Sequence, residues 1–431
     1  MTDAALVLGT FGAEQHWRPE GMARLPGVRD PRAVAWVAAM DELLVLLTRP
    51  GDTLATRRPL SGALREVLAH AGITFAHQLL PQGPAGASAE ALAAEEPFLT
   101  GVAAGHHRLE PFAVLPDTVA LAQRMGLAGA LPAADVAARV NGKLWSNACV
   151  RELGLPGQAY EARGSAEVEG LVERAARVTG AVLVKDPFGV AGQGTLEIGS
   201  AATAARLTRH LRRQEEAGCE VRLLVQPRWE RRWDFSAHLE IARDGTARVV
   251  GVQHLRNQGY RHAVSGPLPA ALAAELRGQG YAAVLTAVAE RLAGEGWFGP
   301  VCVDSMVCAD GMLVPVLEVN ARQSLGRLNL RLNDVAGRRG LESHLWQEEI
   351  ALAEGEGIDQ VLAALAGEGL LYTGGSEPGV LPLSGGCLTP PRGRLCCAVL
   401  CPPGAFDHWA QRVRRCLATA RSARTDRVPA R

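Results

Sequence analysis

Two apolar segments near residue 310 constrain the fold of this chain more than any other feature. Residues 298–308 (FGPVCVDSMVC) and 313–322 (LVPVLEVNAR) are Val-rich runs, each interrupted by an acid, with Ala309-Asp310-Gly311 and Met312 between them. Runs of this texture around an Asp-Gly turn signal read as an antiparallel hairpin over 298–320. Side chains alternate faces along a strand, so Glu318 and Asn320 project together. Whether Asp304 joins them depends on loop parity. A two-residue turn pairs 304 with 317 and puts Asp304 on the wrong face. A three-residue loop, with Gly311 left-handed, pairs 304 with 316, and Asp304 becomes a diagonal neighbour of Glu318 at roughly 7 Å. The odd-numbered loop is expected. Three oxygen ligands on one sheet face suit Mg²⁺, which takes carboxylates together with phosphate oxygens and water. The alternative, exposed edge charges, fits poorly because an unpaired carboxylate in an apolar run costs several kcal/mol.

The basic residues carry a second signal. Of 45 lysines and arginines, only Lys143 and Lys185 are lysines. In a chain that uses arginine wherever either will serve, they mark places that require a compact point charge. Lys185 closes the apolar run AVLVK and precedes Gly189, Gly192 and Gly194. Glycines let backbone N–H groups approach phosphate oxygens and form an anion nest. Neither GxxxxGK[ST] nor GxGxxG is present, so alone this stretch equally fits an ordinary hairpin turn.

Around these motifs the chain divides into three. Residues 1–130 read as a small α/β unit: a buried strand at 4–8 running into GTFG, helical patterns at 31–47 and 60–71, and an extended piece at 73–80. The GTFG turn is read as structural, and 81–97 as a Pro/Gly/Ala-rich loop. Residues 131–345 begin with helices on either side of Lys143. Strands at 181–185 and 221–226 follow, with helices at 166–178 and 201–214, then strands at 234–243 and 247–253. A helix at 270–294 precedes the hairpin, and 253–265 is read as a loop. After Asn320 the pattern looks helical to about 365. Residues 346–431 hold this helical segment and a small α+β unit, with a strand at 394–400 and a helix at 405–420.

Composition excludes several classes of function. Acidic and basic residues balance at 45 each, which argues against nucleic-acid or anionic-membrane partners. The Arg-rich stretch 412–431 lacks stacking aromatics and reads as a solvated helix face and frayed end. No apolar run is long enough to span a membrane, and the N-terminus lacks the pattern of a secretory signal. Nine cysteines include no CxxC pair. Cys387, Cys396, Cys397 and Cys401 read as small buried hydrophobes rather than zinc ligands, which fits a reducing cytoplasm. His106-His107 have no metal-ligand spacing.

Taken in order, Lys143 before a helix, Lys185 before the glycine stretch, LLVQPRWE, Asp304 and Glu318-x-Asn320-x-Arg322 resemble the ATP-grasp superfamily over about 139–345. The resemblance implies an ATP-grasp fold of two α+β lobes clamping ATP, with an N-terminal α/β domain and a small C-terminal α+β unit. It places Lys143 and Lys185 on ATP phosphates, with Gly189, Gly192 and Gly194 in the loop that closes over them. Gln226 to Trp229 become the hinge that reads adenine, near 226–230, and Glu230 holds ribose. Asp304, Glu318 and Asn320 match Mg²⁺ ligands, with Mn²⁺ as a substitute, and Arg322 matches an arginine that steadies the transferred phosphoryl. Val190-Ala191 stand where several members carry serine. Arg256, after a strand, is a further candidate for the γ-phosphate or a substrate carboxylate.

The order GTFG, NGKLWSN, EVNARQSLGR and a C-terminal unit also resembles pheganomycin-type peptide ligases and ATP-grasp enzymes that load amino acids onto carrier proteins. This implies an amino-acid carboxylate donor and an amino acid or peptide amine as acceptor, with ADP and phosphate as products. A carrier-protein thiol as acceptor is the main variant. A non-catalytic nucleotide-binding module is the alternative from another class, opposed by the full set of metal ligands.

Overall fold

The computed structural model describes residues 4–27, 30–84, 86–189 and 194–425. Its first sheet is parallel, with β1 (Ala5–Leu8), β2 (Thr53–Thr56), β3 (Ala76–Leu79) and β4 (Arg108–Pro111) in the order β3-β2-β1-β4. The run ALVL of β1 is buried throughout because both its faces are covered. Ala5 and Val7 pack into one core cluster, Leu6 and Leu8 into another. The helix expected over 31–47 is α-helical only over Pro31–Ala38, then tightens into a 3₁₀ segment, Ala39–Leu47. Asp30 starts it by accepting the Arg32 N–H, with Pro31 in the first turn.

The second sheet is antiparallel and forms a small lobe. It holds β5 (Tyr160–Ala162), β6 (Val182–Lys185), β7 (Thr195–Ile198) and β8 (Leu223–Pro227) in the order β5-β8-β6-β7. Helices Val168–Thr179 and Ala201–Glu216 bury its apolar face through Val172, Leu207 and Leu211. Ser200 caps the longer helix by accepting the Thr203 N–H, a contact worth about 1 kcal/mol.

The third sheet has eight strands and anchors the large lobe. These are β9 (Arg231–Ile241), β10 (Ala247–Gln258), β11 (Arg261–Pro267), β12 (Gly299–Cys308), β13 (Leu313–Asn320), β14 (Glu342–Ala351), β15 (Gly379–Pro382) and β16 (Arg392–Cys401). They are ordered β13-β12-β9-β10-β11-β14-β16-β15. Only residues 228–230 connect β8 to β9, so the two lobes meet across a short link.

Three sequence expectations need correction here. Residues 253–265 are not a loop: β10 runs on to Gln258, turns at Gly259 (φ +62) and returns as β11. The stretch after Asn320 is not continuously helical. Helix Leu325–Gly337 and helix Ile358–Gly367 flank β14, which pairs with both β11 and β16. Glu342, Gln347, Glu348 and Glu349 hide β14 from an apolar-run reading, although Leu345 and Trp346 are fully buried. The boundary drawn at 345/346 therefore falls inside a strand, and the C-terminal strands extend the large-lobe sheet. The helix over 270–294 breaks at Gly280 (φ +67) into Ala270–Gly278 and Tyr281–Gly294.

Cys387, Cys396, Cys397 and Cys401 are fully buried and free. Among the described residues no cluster of three His, Cys, Asp or Glu side chains could hold a metal, and no helix is long and apolar enough to cross a membrane.

Candidate active site

The hairpin β12–β13 turns through the three-residue loop Ala309-Asp310-Gly311. Gly311 lies at φ +89, its N–H donates to the Cys308 carbonyl at 3.0 Å, and the Cys308 N–H donates to Met312 at 2.9 Å. Near the turn the pairs are Met306 with Val314 and Val307 with Leu313. Beyond Met306 the register shifts, and Asp304 stands opposite Glu318 rather than opposite residue 316. The shift takes up residues 315–317 and begins at Pro315, which has no N–H for the ladder and whose carbonyl accepts the Ser305 hydroxyl at 2.7 Å. Because β13 gains two residues, an even number, facing is preserved. Asp304 and Glu318 become direct cross-strand neighbours, and Cys302 and Asn320 pair on the same face.

Lys143 and Lys185 come to these acids from different elements. Lys143 is the first residue of helix Lys143–Glu152, whose N-terminus docks on the turn after β6: its N–H donates to Pro187 at 3.1 Å. Its Nζ reaches Glu318 Oε1 at 2.6 Å and the Gly189 carbonyl at 2.9 Å. Lys185 closes β6. Burial depresses its ammonium to about 8, while Glu318 pulls upward and Lys143 pushes further down. Burial and the facing Glu318 raise Asp304 to about 6. Like charges are therefore crowded on both sides of the site, two carboxylates and two amines. A bound cation and polyanion would relieve both repulsions.

Gly189 and Gly194 close the base of the turn by packing on each other. A Cβ on Gly189 would lie 2.4 Å from the Gly194 Cα, and one on Gly194 would lie 2.2 Å from the Gly189 Cα. Any side chain at either position would force the base of the loop apart. Gly192 and Val190-Ala191 lie outside the described residues.

Asn320 and Arg322 tie the acids to the N-terminal unit. Asn320 Nδ2 donates to Asp304 at 2.9 Å, and its carbonyl accepts from Arg322 at 3.1 Å. The Arg322 guanidinium, stacked 5.4 Å from the Phe112 ring centroid, pairs with Glu14 at 2.5 Å. Phe112 follows β4, Phe11 and Glu14 follow β1, and the two Phe rings stack with centroids 3.9 Å apart. This is the crevice between β1 and β4 where the strand order of the parallel sheet reverses, the usual ligand position in such sheets. The sequence reading missed Glu14, because its partner lies 308 residues away. The signal was present: GTFG at a first strand end leads directly to it. Asp186 was also missed. It sits beside Lys185 and is held by Arg18 at 2.7 Å from the N-terminal unit.

Glu14, Phe112, Lys143 and Gly189 line one cavity of about 360 Å³ between the lobes, with Lys185 and Leu183 from the small lobe and Asp304, Glu318, Asn320 and Arg322 from the large one. It opens into a wider space of about 870 Å³ lined by Trp229 and Glu230, sharing Arg231, Asp234, Asn257 and Tyr260 with it. Gln226 is buried, its amide donating to the Gly157 carbonyl at 2.8 Å beneath the link between lobes. Arg256 is not brought to the site. Its strand neighbours Leu255 and Asn257 line the cavity, so period-two alternation turns Arg256 outward, where it pairs with Asp407 at 2.5 Å. Arg231, ion-paired with Asp234 at 3.2 Å, is the arginine of this lobe that lines both spaces.

No protein-family model matches the chain, and no curated protein matches it. Solved structures do. The biotin carboxylase domain of the Hydrogenobacter thermophilus 2-oxoglutarate carboxylase matches with a TM-score of 0.57 at 14% identity, over 97% of this chain and 90% of that one. The carboxyaminoimidazole ribonucleotide synthase of Aspergillus clavatus matches with a TM-score of 0.56 at 13% identity, over 97% of this chain and 100% of that one. The N5-carboxyaminoimidazole ribonucleotide synthetase of Thermus thermophilus matches with a TM-score of 0.55 at 15% identity, over 96% and 98%. At such identities the likeness concerns the fold, and the fold is ATP-grasp, spanning nearly the whole chain.

Proposed function

We propose that this protein is an ATP- and Mg²⁺-dependent ligase that phosphorylates a carboxylate and transfers the acyl group to an amine, releasing ADP and phosphate. The observation that carries this reading is the direct opposition of Asp304 and Glu318, flanked by Asn320, in one cavity with the chain's only two lysines. The structures of the same fold support it: the carboxylase domain was solved with MgADP and bicarbonate, the Aspergillus clavatus synthase with ATP.

The residues fit the implied groups. Asp304 and Glu318 are two partly buried carboxylates, and burial together with their mutual repulsion lifts Asp304, a set that suits a divalent cation completing its shell with phosphate oxygens and water. Asp304, Glu318 and Asn320 would hold Mg²⁺, which neutralises phosphate charge when bound. Lys143 and Lys185 supply point charges for phosphate oxygens. Lys143 would exchange its bonds to Glu318 and Gly189 for them, and Gly189 and Gly194 set the loop that covers them. The space beside Trp229 and Glu230 takes the nucleoside.

A carboxylate is a poor electrophile. Its oxygen attacks the γ-phosphorus and ADP leaves; the amine then attacks the acyl carbon of the acyl phosphate, the amide C–N bond forms as the C–O bond to phosphate breaks, and inorganic phosphate and the amine's proton depart. In this reading Arg322, which lines the cavity, holds the donor carboxylate and the anionic tetrahedral intermediate, with its ion pair to Glu14 fixing its orientation. Positioning and charge neutralisation of this kind supply most of the rate in phosphoryl and acyl transfer. Within this activity we read the donor as an amino-acid carboxylate and the acceptor as the amine of an amino acid or peptide, as in pheganomycin-type ligases, within specialised metabolism. Incubating the protein with Mg-ATP, a pool of amino acids and hydroxylamine should give ADP and amino-acid hydroxamates. AMP and pyrophosphate as products would exclude the mechanism.

A further inference from the structure

A second cavity, of about 140 Å³, lies in the N-terminal unit at the carboxyl ends of β1 and β2. It shares Phe11 and Val37 with the catalytic cavity, so the two spaces adjoin at those side chains. Its walls are mostly apolar, and Val34 on its rim is 56% exposed, among the most exposed large apolar side chains described. Arg57 enters this lining half-buried. Among the described residues its guanidinium makes one hydrogen bond, to the Ala87 carbonyl at 2.6 Å, and no ion pair. The acids around it are committed elsewhere: Asp41 accepts the backbone N–H of Arg57 at 2.8 Å, and Glu90 accepts the Thr10 hydroxyl at 2.7 Å. Burial pushes both acids up from the usual carboxylate range, and the Arg57 charge nearby pulls each back down without forming an ion pair to either. A half-buried guanidinium facing an apolar cavity is built for a planar anion, and a carboxylate matches its fork. A space of this size holds a branched aliphatic or benzene-sized group.

A ligase that joins two amino acids must also keep the acceptor's carboxylate away from the γ-phosphate, or both substrates would be activated. A cation outside the catalytic cavity, reached past one aromatic wall, does this. We infer that this cavity anchors the acceptor: Arg57 binds the acceptor's own carboxylate, Val34 and Val37 contact its small apolar side chain, and its amine reaches past Phe11 toward the activated donor. The acceptor is then a free amino acid or short peptide with an unblocked C-terminus. The inference rests on the ligase reading above, and the two can fail separately.

The probes are L-alanine, L-valine and Ala-Ala against their C-terminal amides, with wild type, Arg57→Met and Arg57→Lys. Calorimetry without ATP should show wild type binding the best free acid at least tenfold more tightly than its amide. Arg57→Met should lose that difference, and Arg57→Lys should keep part of it. In the coupled reaction Arg57→Met should raise KM for the free acid at least tenfold, with the larger effect on KM rather than kcat. Equal binding of acid and amide to wild type, or an unchanged preference in Arg57→Met, would overturn the anchoring site. Hydroxamate formation by wild type needs no acceptor carboxylate. Its absence would sink the ligase reading, while the calorimetry would still decide for or against the carboxylate site.

Discussion

Two pairs of acids are withdrawn from water in this molecule, and they are held in opposite ways. Asp41 and Glu42 lie in the 3₁₀ segment of the N-terminal unit, each 1% exposed. Glu42 accepts the N–H groups of Gly385 and Gly386 at 2.6 and 3.0 Å, fastening the C-terminal unit to the N-terminal one, and Asp41 accepts the Arg57 N–H. Asp304 and Glu318 face a cavity, oppose each other directly, and have lysines, an amide and a thiol as neighbours. Backbone donors fix a carboxylate for structure. Side-chain amines beside a cavity leave it free to exchange partners with a ligand. Burial alone does not separate structure from function; the partner's ability to leave does.

The contrast can be broken at either pair. Glu318→Gln should lower turnover by about 10³-fold or more, because it removes a charge needed for both metal and phosphate. Its melting temperature should stay within about 4 °C of wild type. Steady-state ADP release and a thermal scan check both, and wild-type turnover would contradict the assignment. Lys185→Arg keeps the charge but replaces a point by a planar fork, and should cost about 10²-fold in kcat/KM by the same assay.

The structural pair should answer differently. Glu42→Ala strands two buried N–H groups and should destabilise by about 2–4 kcal/mol in urea unfolding, with turnover per folded molecule unchanged. A catalytic loss without a stability loss there would reverse the comparison. Asp41 gives the smallest effect, read per pH step. Burial raises it to about 7 in the fold from 3.8, so its contribution is present below pH 4 and lost as pH rises through 7. Asp41→Asn should therefore gain on wild type between pH 4 and 7, by up to about 1.4 kcal/mol per pH unit. Parallel stability curves would show that Asp41 does not titrate as its burial requires.

Much of the large-lobe site was legible because its information is local. The odd loop at 309–311 and the shared face of residues 304, 318 and 320 follow from period-two alternation within one hairpin. The pairing partner of Asp304 was not, since a bulge at Pro315 changes register without changing face, and facing was all the motif required. Lys143 and Lys185 stood out because arginine fills every other basic position. Three kinds of information were hidden. Glu14 meets Arg322 only through tertiary packing. Strand β14 carries its charges on a pairing strand. Arg256 required knowing that β10 continues past residue 253, which sets the side it faces.

The central claim is that these lobes transfer a phosphoryl group to a carboxylate oxygen. Supplying the amino-acid pool with ¹⁸O in its carboxylates, together with Mg-ATP, and examining the released phosphate by ³¹P NMR tests it directly. One ¹⁸O per inorganic phosphate, formed alongside ADP and absent with Glu318→Gln, is the predicted result. Inorganic phosphate without label, or label appearing in AMP, would contradict it.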